Sequence, residues 1–220
     1  GRQTAGRGRQ GRAWADDAHT SLLCSLAWPF PPPNLPAAAQ RNLGPLSLAV
    51  GVWLAQALHA LGATTVRLKW PNDLLLPSPD GWHKLGGILV EIADTAQARW
   101  AVIGFGLNLR TPPDQPQAAG LDAAGLFLDR AQVLGALLPA LLNGLQTSAK
   151  HLDATLTQWD ALHAWAGQTV SIQDRGQTLF SGTALGIAPD GALRVRTPQG
   201  ERRVLSADVS LRLARADTAK

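Results

Sequence analysis

Methionine is absent from the sequence, and cysteine occurs once, at Cys24. A single thiol excludes an internal disulfide and any cysteine-built metal cage, so the expected location is cytoplasmic. Without methionine the chain has no initiator of its own. It also opens on Gly1-Arg2-Gln3, inside what reads as a functional loop, and the expectation is a fragment lacking its N-terminal part. No apolar run reaches the roughly 18 residues needed to cross a bilayer, and no signal peptide opens the chain. No membrane partner is therefore expected. Charged residues are scarce, 16% against 45% hydrophobic, which is the balance of a globular protein with a proper core. The little charge present leans basic, with a net +4, and suggests an anionic partner without choosing between nucleic acid, nucleotide and acidic protein. Arg2, Arg7, Arg9 and Arg12 all fall in one glycine-rich stretch at the start.

A length of 220 residues favours one sizeable domain plus a small one. Residues 1–13 form a glycine/arginine loop without apolar periodicity. Residues 21–28 read as a buried strand that the Pro29–Pro36 cluster ends. A helix should follow, with Pro45 in its first turn, Gly62 as its stop, and Leu46, Val50, Trp53, Leu54, Ala57, Leu58 and Leu61 on one face. Strands are expected over Thr65–Trp70, Asp73–Leu76, Lys84–Ile92 and Ala98–Leu109. A loop over 111–125 and two helices, 130–149 and 152–165, then close the domain. From Gly167 five short strands separated by Asp174-Arg175-Gly176, Pro189-Asp190-Gly191 and Gln199-Gly200 turns suggest a small SH3-like barrel. The domain boundary is placed between residues 165 and 166, giving domains 1–165 and 166–220.

Three segments can carry chemistry. In Gly6-Arg7-Gly8-Arg9-Gln10-Gly11-Arg12, the glycines let the backbone close on a ligand. The arginines offer permanently charged forks for phosphate or carboxylate. A flexible tail that binds nucleic acid by charge alone is the competing reading. Trp14, next to this loop, can stack on a base or plug the core. In Lys69-Trp70-Pro71-Asn72-Asp73, a proline bends the chain after a strand and presents polar side chains at its edge. Lys84 follows Asp73 by eleven residues. On paired strands the two lie within a rung or two, and an ammonium would meet a carboxylate if they share a face. A surface ion pair worth about 0–1 kcal/mol is the bland alternative. Gly86 and Gly87 count against it, because glycine weakens strand interiors unless something approaches closely. In Gly104-Phe105-Gly106-Leu107-Asn108, alternating glycines open one face of a strand, and Asn108 offers both donor and acceptor.

In this order and spacing, GRGRQGRAW, KWPND, KLGGILVE and GFGLNL resemble the biotin–protein ligase family. The likeness continues through the small C-terminal unit. KWPND followed by KLGGILVE is the distinctive part, since lipoate ligases share the fold with different signatures. The resemblance implies an α+β fold, a class II aminoacyl-tRNA synthetase-like mixed sheet with helices, plus the C-terminal SH3-like β-barrel. Its implied activity is AMP-forming ligation of biotin to a lysine of a biotin carboxyl carrier protein, with ATP, Mg2+ and biotin as cofactor and substrates. By the same resemblance Lys84, Arg9 and Asp73 are the catalytic candidates, Lys84 lying between the biotin carboxylate and the α-phosphate. Gly6, Arg7, Gly8 and Arg12 belong to the adenylate-binding loop, with Trp14 as the wall beside adenine and Gln3 in the biotin pocket. Lys69 and Asn72 form the nucleotide-side cluster with Asp73. Gly86 and Gly87 leave space for biotin, Asn108 recognises the nucleotide, and Arg212 helps hold ATP. The family's upstream Ser-Thr-Asn segment has no counterpart here.

No covalent enzyme intermediate is required, and Cys24, in an apolar strand without an evident histidine partner, reads as an inert thiol. His19, His59, His83, His151 and His163 lack metal-ligand spacing and are assigned no role, so no metal site is expected. Some family members dimerise through the sheet, and some repress transcription through an N-terminal DNA-binding domain. A homodimer is left open, and DNA binding is expected only if such a domain precedes this chain. A lipoate ligase of the same fold and a non-catalytic nucleic-acid module are the alternatives. The latter leaves KWPND and KLGGILVE unexplained.

Overall fold

The structure is a computed structural model. It describes residues 20–30, 44–94, 99–174, 176–205 and 210–213, together with Gln3, Gly6 and Gly8. Two five-stranded antiparallel sheets and two long helices make up the described chain. The first sheet contains β1 (Ser21–Phe30), β2 (Arg67–Lys69), β3 (Asp73–Ser78), β4 (Gly81–Asp94) and β5 (Arg99–Asn108), in the order β1-β5-β4-β3-β2. Every pairing among the described strands is antiparallel, where the resemblance implies a mixed sheet. The expected strands are all present. β1, an edge strand among the described residues, runs on through Pro29, because on an edge strand's unpaired side a missing N–H costs nothing.

Helix α1 (Leu46–Ala60) starts behind Pro45 and ends at Gly62, whose φ of 107° suits glycine. One apolar face is expected from its sequence, yet the helix buries residues all round, including Leu48, Ala49, Val52 and Ala55. It is sandwiched: Gly51 lies against the side chains of Leu68 and Ile88 on the sheet, and Trp53 packs on a second helix. That helix, α2 (Arg130–Leu162), is one unbroken element of 33 residues where two were expected. No glycine or proline lies between 149 and 152 to stop it, and the proline it does contain, Pro139, is on its exposed side. The carbonyl that Pro139 leaves unbonded therefore remains open to water. Asp129 and Gln132 close a capping box at its start, with Asp129 Oδ1 accepting from the Gln132 N–H at 2.8 Å.

Gly144 of α2 brings the two helices close. A Cβ there would collide with the Trp53 indole, a rigid ring with nowhere to go. Gly144→Ala is expected to lower stability by about 1–3 kcal/mol through overpacking, read as a lower urea midpoint with an unchanged slope. On propensity alone the same change would stabilise a helix.

The second sheet holds β6 (Thr169–Asp174), β7 (Gln177–Ile187), β8 (Leu193–Thr197), β9 (Gly200–Val204) and β10 (Ser210–Leu213), in the order β10-β6-β7-β8-β9. Among the described residues β9 and β10 are its two edges, and no pairing joins them. Among the described residues, polar contacts far apart in the chain fasten it to the first unit. The Asp160 carboxylate of α2 accepts the Ile187 N–H at 2.9 Å, and the fully buried Trp70 donates its indole N–H to Gly191 O at 3.0 Å.

Candidate active site

The face of the first sheet turned away from α1 collects the charged candidates. The α1 face is marked by Leu68 and Ile88; Leu74, Gly86 and Leu107 share it through the ladders Leu68↔Leu74, Leu74↔Gly86 and Gly86↔Leu107. Asp73, paired with Lys69 and Gly87, lies on the opposite face. An unbroken β3–β4 ladder would then set Lys84 across from Leu76, on the α1 face. Instead Lys84 faces Leu75, because Leu85 is the extra residue of a bulge. Side chains alternate with period two, so this one-residue slip turns Lys84 onto the Asp73 face.

There the Asp73 carboxylate bridges two ammonium groups. Its Oδ2 is 2.9 Å from Lys69 Nζ and its Oδ1 2.7 Å from Lys84 Nζ. Burial by itself would raise the Asp73 pKa. The charges of Lys69 and Lys84 and their hydrogen bonds outweigh it and hold the carboxyl at about 2, so it is ionised throughout the physiological range. Burial lowers the Lys69 pKa; Asp73 opposes the shift, while Arg212 and Lys84 add to it. Arg212 on β10 thus acts electrostatically on this cluster, although it is far away in sequence. Trp165 lies beneath Lys69, its ring centroid 5.3 Å from Nζ. Among the described residues, three cations against one carboxylate make a cluster suited to a polyanion.

Beside this cluster lies a strip of sheet without side chains. Gly87 pairs with Gly106, and Gly104 follows two residues along on the same face. At Gly104 a Cβ would make only ordinary contacts, 3.6 Å to Leu89 O and 3.7 Å to Ser25 Oγ, so packing does not require glycine there. Gly86 differs. Its missing side chain points to the α1 face, where a Cβ would collide with Gly106 O and the Leu107 side chain. Of the pair Gly86-Gly87, expected to leave room for biotin, Gly86 thus lies on the α1 face and Gly87 on the Asp73 face.

Both asparagines spend donors on the main chain. Asn72 Nδ2 donates to Ile88 O at 2.7 Å, and the Ile88 N–H donates back to Asn72 O at 2.9 Å, extending the β3–β4 pairing by one rung. Asn108, buried at the end of β5, donates to Ala119 O at 3.2 Å and to Lys84 O at 3.5 Å. Gln3 is exposed and Gly6 and Gly8 half-buried, all in irregular chain. Arg7, Arg9, Arg12 and Trp14 lie outside the described residues. Cys24 is half-buried and burial pushes its thiol up, as an inert thiol requires. Among the described residues no three His, Cys, Asp or Glu side chains form a group that could hold a metal ion, and no helix is long and apolar enough to cross a membrane.

Sequence reasoning missed Trp165 under Lys69, the bulge at Leu85, and the anchoring of Trp70 in the second unit. Nothing in the spacing of residues 69 and 165 signals their contact. A glycine pair following a lysine, as in Lys84-Leu85-Gly86-Gly87, is the one local hint of an irregular strand.

Comparison with known proteins gives two family matches, the biotin/lipoate A/B protein ligase family over residues 1–108 and the biotin protein ligase C-terminal domain over residues 166–212. The bifunctional ligase/repressor BirA of Escherichia coli is 34% identical over 219 residues, 96% of this chain. This chain spans 65% of that relative's length. The biotin–[acetyl-CoA-carboxylase] ligase of Paracoccus denitrificans is 30% identical over 217 residues, covering 94% of this chain and 86% of its own. Among solved structures, the Aquifex aeolicus biotin protein ligase in complex with biotin and ATP superposes with a TM-score of 0.80 at 26% identity, over 97% of this chain and 87% of that one. With its fold, its ordered motifs and a relative matched over nearly the full length of both chains, this chain belongs to the biotin protein ligase family.

Proposed function

We propose that the protein is an ATP-dependent biotin–protein ligase, which activates biotin as biotinyl-adenylate and transfers it to a lysine of a biotin carboxyl carrier protein. The observation that carries this reading is the Lys69–Asp73–Lys84 bridge beside the glycine strip of Gly87, Gly104 and Gly106. The strip suits a thin, extended ligand, and the cations at its end suit two anions that must approach each other.

In the first step a carboxylate oxygen of biotin attacks the α-phosphorus of ATP, and the bond to the β-phosphate breaks to release pyrophosphate. Magnesium bound to the incoming ATP would supply further neutralisation of the triphosphate. Lys84, nearly half exposed at the head of the strip, is the group to offset the charge that builds between carboxylate and α-phosphate. Asp73 is read as positioning both lysines; its pKa of about 2 makes it a fixed anion, too weak a base to take a proton. Lys69, Asn72, Asn108 and Arg212 are assigned to the nucleotide, Gly87 to biotin, and Gln3, Gly6 and Gly8 with Arg7, Arg9, Arg12 and Trp14 to the loop over the adenylate. In the second step the carrier lysine attacks the acyl carbon of the adenylate, loses a proton and displaces AMP.

The architecture is read in the same terms. Residues 1–165 form a class II synthetase-like catalytic domain and residues 166–220 an SH3-like barrel, a reading supported by the five short strands in which β10 returns to β6.

The test is to incubate the full-length protein with MgATP and either biotin or lipoate and to identify the adenylate by mass spectrometry. Biotinyl-adenylate is the expected product. Lipoyl-adenylate in its place would keep the chemistry and overturn the substrate, and neither product would overturn the ligase reading.

A further inference from the structure

Lys84 is held on one side by β3, and on the other by a segment that is not part of the sheet. β5 ends at Asn108, so it cannot reach Lys84. Residues 117–119 take its place: the Lys84 N–H donates to Gln117 O at 2.8 Å, and Lys84 O accepts the Ala119 N–H at 2.9 Å. Both main-chain groups of the proposed catalytic lysine are thus bonded to a loop.

That loop is stapled at its ends. The Thr111 N–H donates to Asp122 Oδ1 at 2.9 Å and to Oδ2 at 3.1 Å, and the Thr111 hydroxyl donates to Oδ1 at 2.9 Å. Thr111 Oγ1 in turn accepts the Gly120 N–H at 3.0 Å. Asp122 Oδ1 also receives the Ala123 N–H at 2.9 Å, which ties the staple to the short 3-10 turn Leu121–Ala124. Gly120 packs so closely on Arg110 and Thr111 that no Cβ would fit. Between the clamped ends run Pro112, Pro113 and Pro116, residues with little backbone freedom to lose. The short hydrogen bonds, the closed ends and the prolines make a stiff span with its far end on Lys84.

We propose that Thr111 and Asp122 are positioning residues for Lys84: their staple sets the segment 117–119, and that segment sets the lysine main chain from which the ammonium projects. This inference rests on the ligase reading. It predicts a defect confined to the step in which Lys84 acts. Displacing a catalytic group by about 1 Å costs on the order of a hundredfold in rate.

The experiment compares Thr111→Val, Asp122→Asn and Thr111→Ser with the unaltered full-length protein and with Lys84→Ala. Two rates are measured, biotinyl-adenylate formation from biotin and MgATP, and biotin transfer from supplied biotinyl-adenylate to the carrier domain. Thr111→Val and Asp122→Asn are expected to lower kcat for adenylate formation about ten- to a hundredfold, with the KM for biotin and the transfer rate little changed. Thr111→Ser, which keeps the hydroxyl, is expected to restore the rate. An unchanged kcat for Thr111→Val beside a defective Lys84→Ala would overturn the positioning role alone. Equal loss in both steps, with a lowered melting temperature, would overturn it too, because a merely structural contact gives that pattern. Full adenylation by Lys84→Ala would instead overturn the role given to Lys84 itself.

Discussion

Lys84→Ala is expected to reduce biotinyl-adenylate formation by about a thousandfold, which corresponds to about 4 kcal/mol of transition-state stabilisation. The fold should be nearly unaffected. Lys84 is 41% exposed, and its ion pair with Asp73 contributes at most about 1 kcal/mol at such a position. Asp73 keeps Lys69 at 2.9 Å, so no buried carboxylate is stranded. The lysine main chain also keeps its bonds to Gln117 and Ala119. Single-turnover rates together with a thermal melt check both halves of this expectation. A rate within tenfold of the parent would remove Lys84 from the chemistry, and a collapse of the melt would make the rate uninterpretable as catalysis.

Acid is expected to cost the fold about 3 kcal/mol between pH 6.5 and 4 through His163 alone. The imidazole is 6% exposed, its centroid 4.7 Å from that of the tilted Trp159 ring, and neither ring nitrogen has a hydrogen-bond partner among the described residues. Burial lowers its pKa from 6.5 to about 4. The unfolded chain therefore binds a proton that the folded chain refuses: the stability is fully present above pH 6.5 and is lost as pH falls through about 4. Below that window Asp73 adds a loss of its own, because its carboxyl, ordinarily near 3.8, is held at about 2 and supports the fold only while ionised. Urea midpoints across pH test the first window. His163→Phe should flatten it and raise stability at neutral pH, since an apolar ring has no buried nitrogen to desolvate. A variant with the same pH dependence as the parent would assign the acid loss to other groups.

The order of strands and turns was legible because apolar runs of four to eight residues bounded by Pro, Gly and Asp carry their own local signal. The length of α2 was not. Nothing between residues 149 and 152 stops a helix, and the expected break had no residue behind it. The all-round burial of α1 was also hidden, since its composition only shows that it is apolar and the second layer over it comes from α2. At the candidate site, Lys69, Asp73, Lys84 and the glycines stood out as residue types in a distinctive spacing, and Gly86 and Gly87 could not be told apart.

By itself the sequence determined the family, the succession of elements, and the set of residues that could meet an anion. All of these follow from local spacing and from motifs within a few residues of one another. Only the tertiary structure decided which of those residues share a surface. A one-residue bulge at Leu85 turns Lys84 toward Asp73, and a register slip of that size flips a side chain across the sheet without altering composition or periodicity. The same holds for Arg212, brought to Lys69 by the docking of the second unit, for Trp165, brought there where the chain after α2 bonds to β2 through Ala164 N–H and Leu68 O, and for Thr111 and Asp122, joined to Lys84 through a loop. Contacts between residues far apart in the chain depend on how the layers close, and a linear pattern does not record it.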